Sequence, residues 1–247
     1  MANYVSKDCI KRIISDIKDI TKNPLIENGI YYKHHEENML KGYALIIANK
    51  ESPYRYGNYL FEIDYPSNYP YVPPTITFLT NNDHTRFHPN LYRNGRVCLS
   101  LLNTWSGDEW SSCNTISSIL LHISSLFTNH ALTHEPGIHD KTSQNVINFD
   151  GCIDYQNIKT AIIDIIRTKE KSNFFKINKF KNINILFKEE ILESFEKNKD
   201  EIINYVKEKV KEIKEDPMKQ VLLVSTYSME ETVDYETLLK DLKKIEI

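Results

Sequence analysis

Residues 86–110 read RFHPNLYRNGRVCLSLLNTWSGDEW, and neither a helical nor a strand period runs through them. The irregular stretch extends from residue 81 to residue 114. Within a compact domain, a segment of this length without regular structure is usually either functional or disordered. Its many aliphatic and aromatic side chains, including Phe87, Trp105 and Trp110, argue against disorder. We therefore predict an ordered loop that carries function.

The segments before this loop change from a helical to a strand period. A helix is predicted over residues 8–22, where isoleucines recur at spacings of three and four. Its predicted inward stripe is Ile10, Ile13, Ile14, Ile17 and Ile20. Segments rich in tyrosine, isoleucine and phenylalanine follow, at 30–36, 40–48, 58–65 and 74–80. Because the turns between them are short, we predict an antiparallel meander of four strands.

Helical periods return after the loop. They predict helices at 115–127, 152–167, 188–214 and 234–244. Strands grouped together and then followed by helices indicate the α+β class. We expect a core domain over residues 1–168 and a mostly helical extension over residues 169–247, packed on or near that core.

Composition excludes several classes of protein. The 247 residues are 26% charged and 40% hydrophobic, which is typical of a globular chain, and the net charge of −3 gives no general drive toward nucleic acid. No apolar run is long enough for a membrane span, and the N-terminus lacks the pattern of a signal peptide. Four irregularly spaced cysteines favour a reducing compartment, so we expect a cytoplasmic or nuclear protein. No phosphate-binding glycine motif occurs, and we expect no cofactor.

Cys98 is the first candidate for chemistry. It follows the turn residues Asn94 and Gly95, and a cysteine on a loop can be exposed enough to react. The alternative is a buried structural thiol. Asn90 lies eight residues earlier, and an intervening turn can return its amide to the thiol, where it could stabilise an oxyanion during acyl transfer.

Two other arrangements use the same loop. His84, His88, Cys98 and Cys113 could in principle bind zinc, but no C-x-x-C spacing is present, and we expect no metal site. Cys98 could instead pair with a histidine as in a cysteine protease, although no local signature supports that pairing.

Several motifs occur together in a fixed order. They are Ser52-Pro53-Tyr54, Tyr69-Pro70-x-x-Pro73-Pro74, His88-Pro89-Asn90 and Asn94-Gly95-x-x-Cys98, followed by Trp110 and a buried helix. With the N-terminal amphipathic helix, this order resembles the ubiquitin-conjugating enzyme family. The segments HEPG at 134–137 and FDGCIDYQNIKTAIIDII, with the end of the chain, are similar to the large Z-type branch and its C-terminal extension. His134 stands where that branch commonly has asparagine.

The resemblance implies a ubiquitin-conjugating fold for the core and an acyl-transfer reaction. Cys98 would carry ubiquitin, or a ubiquitin-like modifier, as a thioester and pass it to a substrate lysine, alone or with a ligase. Asn90 would steady either the oxyanion or the loop, and His88 belongs to the same motif. Glu135 would orient the incoming amine. Because the chain has no nucleotide motif, the acyl group must arrive already activated.

The resemblance also implies surfaces for protein partners. Lys7, Lys11 and Arg12 on the first helix would meet the ubiquitin-activating enzyme. Tyr71, with Trp110 and Ser112 in the loop at 105–113, would meet a ligase. The alternative is a catalytically silent module on the same fold that binds ubiquitin or a ligase.

Overall fold

The computed structural model describes residues 5–167 and 185–246. The predicted boundary between residues 168 and 169 lies outside the described residues, so the division into core and extension stays a prediction. Helix α1 spans Lys7–Lys22, and the Ser6 side chain caps it by accepting a hydrogen bond from the Cys9 N–H at 3.0 Å.

Four strands follow α1 and form one antiparallel sheet in chain order. They are β1 (Ile30–His34), β2 (Lys41–Ile47), β3 (Asn58–Asp64) and β4 (Thr75–Phe78). The predicted meander and the α+β class are confirmed. The sheet places the irregular loop directly after its edge strand β4.

The central helices continue the core beyond the loop. Helix α2 spans Ile116–Ser124, with Thr115 as its N-cap. Helix α3 begins at Gln144, earlier than the predicted residue 152, and runs to Gln156. It continues as a π-helical segment, Asn157–Asp164, and a last turn α4, Ile165–Arg167. The Asn58 side chain donates to the Ala161 carbonyl at 2.9 Å, which gives a partner to a backbone group of the π segment.

The described part of the extension, residues 185–246, includes two helices and a hairpin. Helix α5 spans Lys188–Glu215 and α6 spans Tyr235–Lys243, close to their predicted bounds. Between them, β5 (Val221–Val224) pairs antiparallel with β6 (Met229–Thr232). We did not predict this hairpin. In its turn, Ser228 adopts the left-handed backbone conformation, at a position where glycine or asparagine usually marks such a turn in the sequence.

The sheet is buried on both faces. Residues such as Ile46 and Phe61 face α2 and α3 in the main core. On the opposite face, Leu45 and Leu60 are cross-strand neighbours that pack in one cluster with Phe187 and Ile191 at the start of α5. The alternation of side chains along each strand therefore serves two packed layers, and the extension supplies the second of them.

The predicted inward stripe of α1 is partly wrong. Ile13 and Ile20 are buried, but Ile10 and Ile14 are 36% and 37% exposed. The helix turns Asp16 inward instead, where the Tyr69 hydroxyl donates to its carboxylate. A long-range polar contact therefore shifts the buried face of this helix.

A buried carboxylate joins the extension to the core. Asp154 on α3 accepts hydrogen bonds from the hydroxyls of Tyr205 on α5, at 2.7 Å, and Tyr235 on α6, at 2.8 Å. The Arg55 guanidinium stacks over the Tyr205 ring at 3.7 Å. Burial raises the pKa of Asp154, while the two hydroxyls and Arg55 act in the opposite direction. Nearby, Gly151 allows a close approach of Leu222 from β5.

We predict that Tyr235→Phe lowers the free energy of unfolding by about 1.5–3 kcal/mol, because it removes the hydroxyl that donates to one oxygen of the buried Asp154. Urea denaturation measures this change. Tyr71→Phe is the matched control, since Tyr71 is 70% exposed, and we expect it to change stability by less than about 0.5 kcal/mol. Equal stability of wild type and Tyr235→Phe would contradict the assigned role of this contact.

Candidate active site

Asn90 and Cys98 are joined by two hydrogen bonds that run in opposite directions. The Cys98 N–H donates to the Asn90 carbonyl at 2.9 Å, and the Asn90 side-chain amide donates to the Cys98 carbonyl at 2.6 Å. Between these two residues the chain reverses its direction at Gly95, whose φ is +88°. A Cβ at this position would lie 2.9 Å from the Phe78 carbonyl oxygen, so glycine is the residue that fits. The structure therefore brings together the two residues that the spacing singled out.

The Cys98 thiol is covered by the residues that follow it. Cys98 is only 3% exposed, and its Sγ–H donates to the Thr104 carbonyl at 2.7 Å. The chain returns through a short turn that ends at Asn103, in the left-handed region, and the Thr104 hydroxyl bonds to the backbone of Leu99. The expectation of an exposed thiol is wrong for this conformation. The hydrogen-bond acceptor that faces the sulfur is a backbone carbonyl of this turn.

His88 fixes the loop from the other side. Its Nδ1 accepts a hydrogen bond from the Asn90 N–H at 3.0 Å, so Nε2 carries the proton and donates to Nδ1 of His134 at 3.1 Å. Burial lowers the pKa of His88 well below its ordinary value, and the charges of His134 and Arg86 act in the same direction. Burial, with Lys141 nearby, also lowers the pKa of His134. Both imidazoles are therefore neutral at physiological pH.

Glu135 follows His134 and is held by the extension. The Tyr227 hydroxyl, from the turn between β5 and β6, donates to Glu135 Oε2 at 2.6 Å. Burial raises the pKa of Tyr227 above the ordinary range, and the Glu135 carboxylate adds to the effect, so this phenol stays a proton donor. No sequence signal pointed to Tyr227, because its position depends on a hairpin that we did not predict.

The three basic residues predicted on α1 divide into two groups. Lys7 and Lys11 are exposed. Arg12 is half-buried, and its guanidinium donates to the Asp16 carboxylate and to the carbonyls of Ser112 and Asn114. Arg12 therefore ties the loop before α2 to the first helix, a structural contact that spacing alone did not reveal.

The residues predicted to meet a ligase lie on two neighbouring segments. Tyr71 is exposed and follows the cis Tyr69–Pro70 peptide bond. Trp110 is partly buried, with its ring near Tyr69 and its indole N–H donating to the Pro70 carbonyl at 2.7 Å. Ser112 is exposed next to this tryptophan. Trp110 thus holds the loop against the proline-rich segment.

The proposed zinc ligands do not form a cluster. Among residues 5–167 and 185–246, no group of three or more histidine, cysteine or acidic side chains is placed to hold a metal ion. Cys113 is exposed, whereas His88 is buried against His134. Every helix in these described ranges is too short or too polar to span a lipid bilayer.

We predict that His134 makes stability depend on pH. Because the folded pKa values of His88 and His134 lie below 6.5, the unfolded chain binds more protons below that pH, and their stabilising contribution is lost as the pH falls. Raised carboxylate pKa values, such as about 6 for Asp164, act in the opposite direction. The variant His134→Asn keeps an acceptor for His88 and the same carboxylates. The carboxylate contributions therefore cancel when its stability is compared with that of wild type.

Urea unfolding of both proteins from about pH 7.5 to about pH 5.5 measures the effect. We expect the stability of wild type relative to His134→Asn to decrease as the pH is lowered. Parallel stability curves would contradict the assigned protonation states.

Comparison with known proteins identifies the family of this site. The family model described as "Ubiquitin-conjugating enzyme" matches residues 12–151. The protein named "Ubiquitin-conjugating enzyme E2 Z" from Xenopus tropicalis is 37% identical over 166 residues, which are 66% of this chain and 52% of the relative. Its namesake from Homo sapiens is 38% identical over 163 residues, 65% of this chain and 46% of the relative.

A third protein of the same name, from Danio rerio, is 38% identical over 166 residues, 66% of this chain and 50% of the relative. The matched stretches span about half the length of these relatives. The family model covers more than half of this chain and contains both Asn90 and Cys98. The chain therefore belongs to the ubiquitin-conjugating enzyme family and is related to its Z-type members.

Proposed function

We propose that the chain accepts activated ubiquitin, or a ubiquitin-like modifier, as a thioester on Cys98 and transfers it to a substrate lysine. The observation that carries this proposal is the pair of reciprocal hydrogen bonds between Asn90 and Cys98, in a chain that belongs to this family. The pair holds a thiol and an amide donor together at one end of the core, as acyl transfer requires.

The first step is an exchange between thioesters. The Cys98 thiolate attacks the carbonyl carbon of the incoming thioester, a carbon–sulfur bond forms, and the sulfur of the activating enzyme leaves as a thiolate. One thioester replaces another, so the step needs little driving force. The Asn90 amide nitrogen carries two hydrogens, one of which is donated to the Cys98 carbonyl. We assign the second hydrogen to the oxyanion that develops in the second step, when the substrate amine attacks the thioester.

The second step is attack by the substrate amine. A lysine amine has a pKa of about 10.4 and is mostly protonated at neutral pH, so it must lose protons to react. We assign Glu135 the role of orienting this amine and accepting the proton that its ammonium form loses before attack. The amine nitrogen bonds to the acyl carbon, and Cys98 leaves as the thiolate.

Charging requires that the turn over Cys98 opens. The Sγ–H bond to the Thr104 carbonyl must break, together with the contacts of the Thr104 hydroxyl to Leu99. Displacement of this short segment exposes the sulfur without changing the Asn90 contacts, which lie on the other side of Cys98 in the chain.

The partner surfaces follow from exposure. We assign Lys7 and Lys11 to contact with the activating enzyme, and Tyr71 and Ser112 to contact with a ligase, because these side chains are exposed. Arg12 and Trp110 support those surfaces through their hydrogen bonds to neighbouring carbonyls. The few cysteines fit a reducing compartment, the cytoplasm or the nucleus.

A second candidate is a silent module that binds ubiquitin or a ligase. The observation that favours it is the cover over Cys98, which is 3% exposed. The two candidates differ in whether a thioester forms, so a charging assay separates them.

We predict that incubation with modifier, activating enzyme and ATP produces a charged band that collapses under thiol reductant, because the link is a thioester. Cys98→Ala should abolish the band, and Cys98→Ser should give a band that resists reductant, because it forms an oxygen ester. The control is Cys113→Ser, which alters an exposed thiol and should charge normally. Absence of charging across a panel of activating-enzyme and modifier pairs would favour the silent module.

We predict that Asn90→Ala leaves charging largely intact and slows discharge to lysine by about 100-fold, the typical effect of losing an oxyanion donor. Single-turnover discharge of the pre-charged protein measures it. A similar loss in both steps would mean that the Asn90 side chain acts mainly through its hydrogen bond to the Cys98 carbonyl, which holds the loop.

A further inference from the structure

We propose that the C-terminal hairpin is part of the active site and that Tyr227 is a positioning residue for Glu135. In this view, Tyr227 holds the carboxylate in the orientation that receives the substrate amine. The inference rests on the proposed function and extends it, because it assigns a role in catalysis to a segment outside residues 12–151 that match the family.

The first support is the contact itself. The Tyr227 hydroxyl lies 2.6 Å from Glu135 Oε2, which is within the range of a short hydrogen bond to a charged acceptor. Glu135 is only partly buried, and a carboxylate at the end of a flexible side chain otherwise samples several rotamers. A donor fixed to one oxygen leaves the other oxygen able to accept from an amine.

The second support is that Tyr227 is held by residues of the active-site loop. Its carbonyl accepts a hydrogen bond from the Arg93 guanidinium at 2.9 Å. The Arg86 guanidinium lies 5.1 Å from the centre of the Tyr227 ring, and the same group donates to the carbonyls of His88 and Pro89. One arginine therefore contacts both the His88–Asn90 motif and the tyrosine that binds Glu135.

The third support is the attachment of the hairpin to α3. The Asn145 side chain accepts from the Ser225 N–H at 2.9 Å and donates to the Thr226 hydroxyl at 2.6 Å. The Asn148 amide donates to the Leu223 carbonyl at 2.8 Å. These hydrogen bonds hold the turn residues that immediately precede Tyr227 against α3. The position of the Tyr227 hydroxyl is therefore set by the hairpin's attachment to this helix.

The connection to the reaction centre runs through neighbouring residues. Glu135 follows His134, which accepts from His88, and His88 in turn accepts from the N–H of Asn90. Asn90 bonds to Cys98. The residues that carry the carboxylate, the amide and the thiol are therefore linked through these hydrogen bonds and the peptide bond between His134 and Glu135, and Tyr227 supports the residue assigned to the amine in the proposed second step.

The test uses the full chain with Tyr227→Phe, which keeps the ring and removes the hydroxyl. The pre-charged protein is discharged to free lysine, and in parallel to hydroxylamine, a nucleophile that is already neutral near pH 7. We expect normal charging, discharge to lysine slowed by about fivefold, and unchanged discharge to hydroxylamine, because only the lysine amine needs the oriented carboxylate. Tyr92→Phe is the matched control, since its ring also lies beside Arg86, and it should discharge at the wild-type rate.

A double-mutant cycle completes the test. Glu135→Ala should slow discharge to lysine, and adding Tyr227→Phe should slow it no further. Wild-type discharge to lysine by Tyr227→Phe would overturn the inference, and so would equal slowing with both nucleophiles, which indicates a general structural defect. A wild-type chain that never charges overturns the proposed function itself, whereas normal charging with unaffected lysine discharge overturns only the role of Tyr227.

Discussion

Two opposed hydrogen bonds between Asn90 and Cys98 are the constraint on which the site depends. They close the reversal of the chain through Gly95 and fix the sulfur relative to the amide. His88 extends the same arrangement, because its Nδ1 accepts from the Asn90 N–H and its Nε2–H reaches His134. Backbone groups of a loop without regular secondary structure thereby find hydrogen-bond partners within the loop.

The described part of the extension contacts the core in several places. Helix α5 covers the outer face of the sheet, where Phe187 joins the cluster of Leu45. Asp154 accepts hydrogen bonds from the hydroxyls of two tyrosines, one on α5 and one on α6. The hairpin delivers Tyr227 to Glu135. A change in the packing of the extension can therefore reach the Glu135 carboxylate through the hairpin, without passing through the sheet.

The sequence predicted those elements whose pattern is local. The four strands follow from their residue composition and short turns, and helix α2 from its helical period, so their predicted positions were close to those observed. The prediction was wrong where the structure depends on contacts between residues distant in the sequence. The buried face of α1 is shifted because Tyr69 bonds to Asp16, and the hairpin was missed because Ser228 occupies a position that glycine usually marks. The spacing predicted that Asn90 lies beside Cys98, but the thiol is buried by a turn that has no sequence signature.

In the proposed function, Cys98 is a firmly held thiol under a turn that opens locally. The most direct measurement is the alkylation rate of each cysteine by a small thiol reagent, resolved by peptide mass spectrometry at low urea concentrations. Exposed Cys113 and core-buried Cys152 serve as the fast and slow references. We predict that Cys98 reacts much faster than Cys152, at a rate that changes little with urea, as local opening requires. Reaction of Cys98 only as fast as Cys152, with the urea dependence of global unfolding, would contradict the account.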